Sequence, residues 1–546
     1  MKINDIICVK IEKLVFGGEG IAKHGDLVIF VPMSVPGDEL KVKIISIKKT
    51  YARGLITEII KPSIDRISSD KITFEDYSGC DFAMMNYEAQ IKNKSMILKD
   101  VFKRIAKEDI KEDIYVEKSE NIFNYRNKVA EPFIKINGEI KTGFFKKKSH
   151  EIFVSDEVNL RANIATIVLD KLLLKLNKYM GTKKEYKVFN DITNTGFLKT
   201  CVIRNNDMNE VMLVLVVNGK SSINRLKETL IELYNENDEI KSIYISVKNK
   251  LDNVIFGEEF IKISGSSYIV ENLFGINFKI YPNSFFQINK KQTEKLYLEA
   301  LNFLGDYKDK NVIDAFSGTG TIAMIMSKKA NKVIGLEIVP ESVKSAIKTS
   351  NENNIKNVEF LVGKVEETIS RVLENNNIDY IVFDPPRKGI DKSILEKVNE
   401  SGINKLVYIS CDPTTLARDI GVLKEYGYKL EFIKGFDMFP QTHHIETVVL
   451  LSKLKIKKHV DIELHADELD LISSECKVTY NNIKQYVFDK YGFKVSNLYI
   501  AQVKEKYGIK EIENYNKPKN NDSKHAICPI EKEKAIKDAF RYFQII

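Results

Sequence analysis

The sequence predicts an α/β chain: a Rossmann-like, doubly wound parallel sheet preceded by an OB-like β-barrel and a central α+β segment. Two observations carry this. After Asn272, short apolar runs alternate with helical patterns, the mark of a doubly wound parallel sheet. Residues 1–60 instead alternate apolar and polar residues in short runs cut by GG, HGD and PGD turns, which outlines a small barrel.

Four segments follow: a barrel over 1–60, an α+β segment over 61–275, the parallel sheet over 276–455 and a C-terminal extension over 456–546. In the second, apolar residues at Met84, Tyr87, Ile91, Leu98, Val101, Phe102 and Ile105 predict an amphipathic helix. "ATIVLDKLLLKLNKY" is helical, while "VMLVLVVNG" and "SIYISVKNK" are strand-like. "YRNKVAEPF" (Tyr125–Phe133) and "TGFFKKKSHEI" (Thr142–Ile152) set cations among aromatics, which suits phosphate contact and base stacking. The parallel strands are read as "NVIDAF", "KVIGLEI", "NVEFLVG", "DYIVFDPP", "KLVYISCDP" and "HIETVVLLSKL". "KLKIKKH" is a candidate linker, "YNKPKNNDSKH" a loop, and "TYNNIKQYVFDKYGFKVSNLYIAQVKEKYGI" two short helices around a Gly turn, in the manner of a helix-turn-helix.

With 546 residues and 43% hydrophobic content the chain can bury more than one core. Lys plus Arg exceed Asp plus Glu by 84 to 76, a net charge of +8, so nucleic acid is a permitted partner that charge alone does not establish. The six cysteines (Cys8, Cys80, Cys201, Cys411, Cys476, Cys528) form no CxxC pair, which argues against a disulfide framework or zinc ribbon and for a reducing cytoplasm. No unbroken apolar run is long enough to span a bilayer, so a cytoplasmic protein without a membrane partner is expected, and a monomer.

"VIDAFSGTGTIAM" (Val312–Met324) is a buried strand that ends in an acid and a Gly-rich turn before a helix opens, and such a turn lets backbone approach a ligand. Twenty-three residues after Asp314, Glu337 closes the next strand, where a carboxylate can accept both hydroxyls of a ribose. Gly318 and Gly320 are followed by no third glycine at the dinucleotide offset, so a nucleoside without phosphates fits better, with S-adenosylmethionine the leading candidate. "DYIVFDPPRKG" delivers Asp384 to the same edge, where open α/β sheets bind ligands, and Arg387 in place of an aromatic departs from the pattern of amino-group methylation.

Cys411 in "YISCDPTTLARD" arrives one strand further, and "FDMFPQTHHIETVVLL" sets Glu446 at the mouth of the last strand. A thiolate beside a methyl donor suits methylation of a pyrimidine at C5: addition to C6 makes C5 nucleophilic, and a carboxylate then removes the C5 proton. Taken alone, a free cysteine is more often buried filler, but its setting at the cofactor edge reverses that. His443 and His444 have no ligands at useful spacing, so no metal site is expected.

"SFFQINKKQTEKLY", "DAFSGTGTIA", "DPPRKG", "SCDPTTLARD" and "FPQTHHIETV" together resemble the successive motifs of the RNA uracil-C5 methyltransferases, and "VFGGEGIAKHGDLVIFVP" with "VPGDEL" resembles a TRAM domain. The resemblance covers about residues 1–455. It implies Cys411 as nucleophile, Glu446 as proton acceptor, and cofactor contacts from Gln287, Phe316, Thr321, Glu337 and Asp384. Many rRNA members carry a four-cysteine iron–sulfur site, of which this chain keeps only Cys80, with Lys71, Tyr77 and Val158 at the other positions, so no cluster is expected. The favoured substrate is a loop uridine of 23S rRNA, because of the TRAM-like barrel. The alternatives are tRNA, or a catalytically silent RNA-binding assembly factor. A DNA cytosine enzyme would need a Pro-Cys and an ENV motif, which are absent around Cys411.

Overall fold

In the computed structural model the described residues are 1–67, 80–146, 149, 151–154, 160–250, 252, 254–453, 480–507 and 528–542. Lys71, Tyr77, Val158, Cys476, the loop "YNKPKNNDSKH" and the linker beyond Lys453 lie outside them. The chain divides into two compact units, Met1–Ile456 and Lys457–Ile546.

The first unit opens on a six-stranded barrel sheet in the order Ile6–Lys10, Glu39–Ile47, Tyr51–Lys61, Leu27–Val31, Gly20–His24, Lys13–Leu14. Alternation turns Val9, Ala22, Ile29, Val31, Leu40, Val42, Ile44 and Ala52 into its core. At its exit Asp38, fully buried, takes Arg66 at 2.6 Å and the amides of Val35 and Ser63, so the buried charge is paired and saturated.

The central sheet runs Glu259–Gly265, Ile240–Val247, Val211–Val217, Leu198–Asn205, Lys128–Ile136, Glu139–Thr142. Every residue of Val211–Val217 is buried because both faces are covered, which explains a sequence without alternation. Helices Asn163–Asn177 and Ile223–Asn235 pack one face. The other meets the hairpin Ile269–Leu273/Ile276–Ile280 and the helix Lys290–Leu304.

The third sheet has eight strands: Val358–Val362, Lys332–Glu337, Asn311–Ala315, Tyr380–Phe383, Lys405–Ser410, Glu446–Ser452, Lys429–Phe436 and Val116–Glu117. The first five are parallel, with helices between, and confirm the Rossmann-like reading; Glu446–Ser452 runs antiparallel to Lys405–Ser410. The last two strands were not read from the sequence.

The helix expected over 84–105 spans Tyr87–Val101 and widens into a π turn, Phe102–Ala106. It starts late because Asn86 caps it, its Oδ1 accepting from the Ala89 amide at 2.8 Å. Ile97, Leu98, Val101 and Phe102 pack into one core with Leu416, Ala417 and Ile420 of the helix Pro413–Glu425, and barrel residues Leu14 and Val35 join that core.

The second unit contains helices Tyr480–Tyr491 and Asn497–Lys506, linked through Gly492 (φ 75°), and a third, Ile530–Tyr542. Ile483, Val487, Ile500, Val503, Ile536 and Phe540 are buried together. Among the described residues no helix is long and apolar enough to cross a membrane.

Candidate active site

The C-terminal edge of the third sheet builds the site strand by strand. Val312 and Ile313 bury the strand Asn311–Ala315, after which Phe316 takes φ 68° and the chain turns through Gly318 and Gly320 into the helix Thr321–Met326. A Cβ at Gly320 would lie 2.5 Å from the Phe360 ring, whereas a Cβ at Gly318 meets nothing within 4 Å, so Gly318 faces open space. Asp314 is fully buried: Oδ2 accepts from the Ala323 amide at 2.8 Å, while Oδ1 finds no partner, and burial followed by the charge of Asp384 pushes its carboxyl well up. Ser317 Oγ is likewise buried, and neither it nor Asp314 Oδ1 has a hydrogen-bond partner among the described residues. On the neighbouring strand Glu337 accepts from the Gly318 amide at 3.0 Å and the Val339 amide at 2.8 Å.

Register places the other acids. Phe383 pairs with Tyr408, so Asp384 leaves the sheet beside the end of Lys405–Ser410. Ser410 pairs antiparallel with Thr447, which sets the next residues, Cys411 and Glu446, opposite one another. Cys411 immediately precedes the helix Pro413–Glu425, whose first turn Asp412 caps at the amides of Thr414 (2.8 Å) and Thr415 (3.2 Å). Burial first, then Glu446 and Asp384, pushes the thiol up to about 11, with Arg387 opposing. Burial and Asp384 push the Glu446 carboxyl up to about 8, again opposed by Arg387, and burial alone takes Asp384 to about 7. Three acidic groups thus share one partly desolvated cleft, in which Asp384 disfavours the charge of Glu446, and both disfavour the charge of Cys411.

Gln287, Phe316, Thr321, Glu337, Asp384, Cys411 and Glu446 all line a single cleft of about 1090 Å³. The same cleft holds residues that sequence reasoning had not assigned. Tyr297 is buried and hydrogen-bonded to Gln287. Phe285 is 75% exposed at the rim, and Arg387 and Lys388 follow the two prolines. His444, considered in the sequence only as a metal ligand, lines the wall, held down to about 4 by burial and by His443, and so is neutral at ordinary pH. All three of Phe285, Tyr297 and Arg387 lay within the quoted motifs; Tyr297, mid-helix at the end of "SFFQINKKQTEKLY", read there as one more apolar helical position.

The loop that delivers Glu446 is clamped from several elements. Lys94 and Asp437, both fully buried, pair at 2.5 Å, and the Tyr87 hydroxyl donates to Asp437 at 2.8 Å. Gln90 Nε2 donates to Gln441 at 2.9 Å, and Asn289 Nδ2 to the Met438 carbonyl at 3.0 Å. His443 Nδ1 meets Asp81 at 2.5 Å, with Phe16 of the barrel edge-on at 6.2 Å. Cys80 is buried against Tyr125 and Leu160, its thiol pushed up to about 12 by burial. Among the described residues no group of three His, Cys, Asp or Glu could hold a metal ion.

The donor set fits S-adenosylmethionine. Glu337 keeps lone pairs for a ribose, Gly318 opens onto space a Cβ would fill, and Ser317 Oγ and Asp314 Oδ1 are orphaned polar atoms at the same turn. A cleft at the C-terminal edge of the parallel strands is where doubly wound sheets bind nucleotides and nucleosides, a class of fold that includes the class I methyltransferases. The profile of the tRNA (Uracil-5-)-methyltransferase family matches residues 86–454, and that of the TRAM domain residues 2–57. An "Uncharacterized RNA methyltransferase" of Fusobacterium nucleatum is 47% identical over 454 residues, covering 83% of this chain and 97% of its own length. One of Clostridium acetobutylicum is 36% identical, covering 80% and 95%. The structure of Pyrococcus abyssi tRNA (uracil-54, C5)-methyltransferase in complex with S-adenosyl-L-homocysteine matches with a TM-score of 0.65 at 26% identity, over 81% of this chain and 99% of that one. The chain belongs to the tRNA (uracil-5-)-methyltransferase family and is an S-adenosylmethionine-dependent RNA methyltransferase.

Proposed function

We propose that this enzyme methylates C5 of a uridine in RNA, with 23S rRNA as its substrate, through a covalent bond between Cys411 and C6 of the base. The observation that carries the reading is the antiparallel register that sets Cys411 against Glu446 in the cleft lined by Glu337 and Asp384. Gln287, Phe316, Thr321, Glu337 and Asp384 would hold S-adenosylmethionine, which when bound supplies an electrophilic methyl group. The chain's own residues do the rest. Arg387 favours the Cys411 thiolate, as does the N-terminal end of Pro413–Glu425. The thiolate adds to C6 and makes C5 a nucleophile. Once C5 carries the methyl group, Glu446 takes the C5 proton, the C5–C6 double bond re-forms and Cys411 leaves as thiolate. Burial keeps Glu446 basic enough for that step. The target base must leave its stack, which favours a loop uridine, and exposed Phe285 at the rim offers a ring for it to stack on.

The TRAM-type barrel supports rRNA. The likeness to an enzyme whose title specifies tRNA supports the second reading, a tRNA substrate. Digesting rRNA and tRNA from cells lacking the gene and mapping 5-methyluridine by mass spectrometry separates them. Loss at 23S positions is the expected result, loss confined to tRNA moves the substrate to tRNA, and survival of every 5-methyluridine contradicts both.

A further inference from the structure

Across the strands Lys128–Ile136 and Leu198–Asn205, Lys128 and Arg204 are directly opposed. Like charges in that position repel, and native sheets normally offset them with an acid. Among the described residues no carboxylate does so. Lys128, half-buried with its ammonium 5.8 Å from the Phe256 ring, makes no ion pair or hydrogen bond among the described residues. Burial and the charge of Arg204 hold it down to about 8, with no opposing acid. Arg204 is 3% exposed; it donates to the Ser284 carbonyl, but its Nε is buried and unpartnered. Two desolvated cations with no counter-ion among the described residues are costly to keep, and an anion from outside the chain would offset that cost.

Their place in the fold says which anion. Between Tyr125 and Lys128, Asn127 donates from its backbone to the Ile288 carbonyl at 2.9 Å and from Nδ2 to the Gln287 carbonyl at 3.1 Å, and Arg204 holds Ser284. The cation pair is therefore built onto the segment that carries Phe285 and Gln287 to the cleft. We infer that Lys128 and Arg204 form a seat for one RNA backbone phosphate near the nucleotide presented to Cys411, with Lys128 as the contacting cation. This rests on the RNA-methylating reading above. It makes the central sheet a positioning surface: the phosphate fixes the strand, and the adjoining loop receives the base.

The test pairs binding with stability in the full chain, using Lys128→Met, Lys128→Arg and a short single-stranded uridine-containing RNA. Fluorescence anisotropy between about 50 and 200 mM KCl should show Lys128→Met weakened several-fold, with the slope of log Kd against log salt smaller by about 0.7, as for one lost phosphate contact. Lys128→Arg should restore both. Without RNA, Lys128→Met should melt higher than the parent, because an uncompensated charge has gone, and S-adenosylhomocysteine affinity should stay unchanged. An unaltered salt slope, or a lower melting temperature for Lys128→Met, overturns the phosphate seat while leaving the methylation reading standing. A parent protein that binds no RNA overturns both.

Discussion

Glu446 shows how a residue's burial sets both its chemistry and its cost. Its folded value of about 8 lies above the 4.5 of an ordinary glutamate, so folding favours the protonated form. The stability it contributes is complete below about pH 4.5 and is lost as the pH rises through about 8. Glu446→Gln, neutral throughout, should therefore gain melting temperature relative to the parent as the pH is raised across that window; a constant difference would show that the carboxyl is not desolvated. In its proposed role as proton acceptor Glu446 works only when ionised, so the rate at which the methylated covalent adduct breaks down should climb about tenfold per pH unit up to about pH 8. A flat profile from pH 6 to 8 would remove it from that role. Gly320 is constrained in a different way, with φ 80° and a Cβ position 2.5 Å from the Phe360 ring. Gly320→Ala should cost about 1–3 kcal/mol in denaturant unfolding, since the turn must strain or Phe360 must move.

Among elements, the five parallel strands were legible because each holds a short, largely apolar run bounded by turn residues, and four of them bring an acid or a thiol to the sheet's C-terminal edge. Lys429–Phe436 was not: "KLEFIKGF" exposes much of one face and shows no clean alternation, and only pairing with Glu446–Ser452 makes it a strand. Val116–Glu117, two residues long, has no period to read. The helix boundary was missed because apolar spacing continues past both ends, while Asn86 decides the start. The Lys94–Asp437 pair that joins this helix to the loop before Glu446 was likewise invisible, since the two lie far apart in sequence. Asp437→Ala leaves the Lys94 ammonium buried without its partner and should destabilise by about 3–5 kcal/mol. Loss below about 1 kcal/mol would mean that the loop is held by other contacts.

For the whole molecule, motif order in the sequence brought out seven of the residues that line the cleft, because a doubly wound sheet gathers its strand ends at one edge. What it could not expose is the joining of parts: barrel residues Leu14 and Val35 share a core with Phe82 and Met85, and Phe16 packs on His443. The family match ends at 454 and every cleft residue lies within Met1–Ile456. A chain ending at Ile456 should therefore bind S-adenosylhomocysteine and methylate RNA as the full chain does. Removing 1–60 should instead leave a protein that melts lower or does not fold.

The most direct measurement of the central claim is covalent trapping. RNA bearing 5-fluorouridine is incubated with the enzyme and S-adenosylmethionine, then resolved under denaturing conditions with peptide mass spectrometry. Fluorine at C5 cannot leave as a proton, so the expected result is a stable protein–RNA adduct on the peptide containing Cys411, abolished by Cys411→Ala. An adduct that persists in Cys411→Ala, or methyl transfer with no adduct in the parent, would contradict the assignment of Cys411 as the nucleophile.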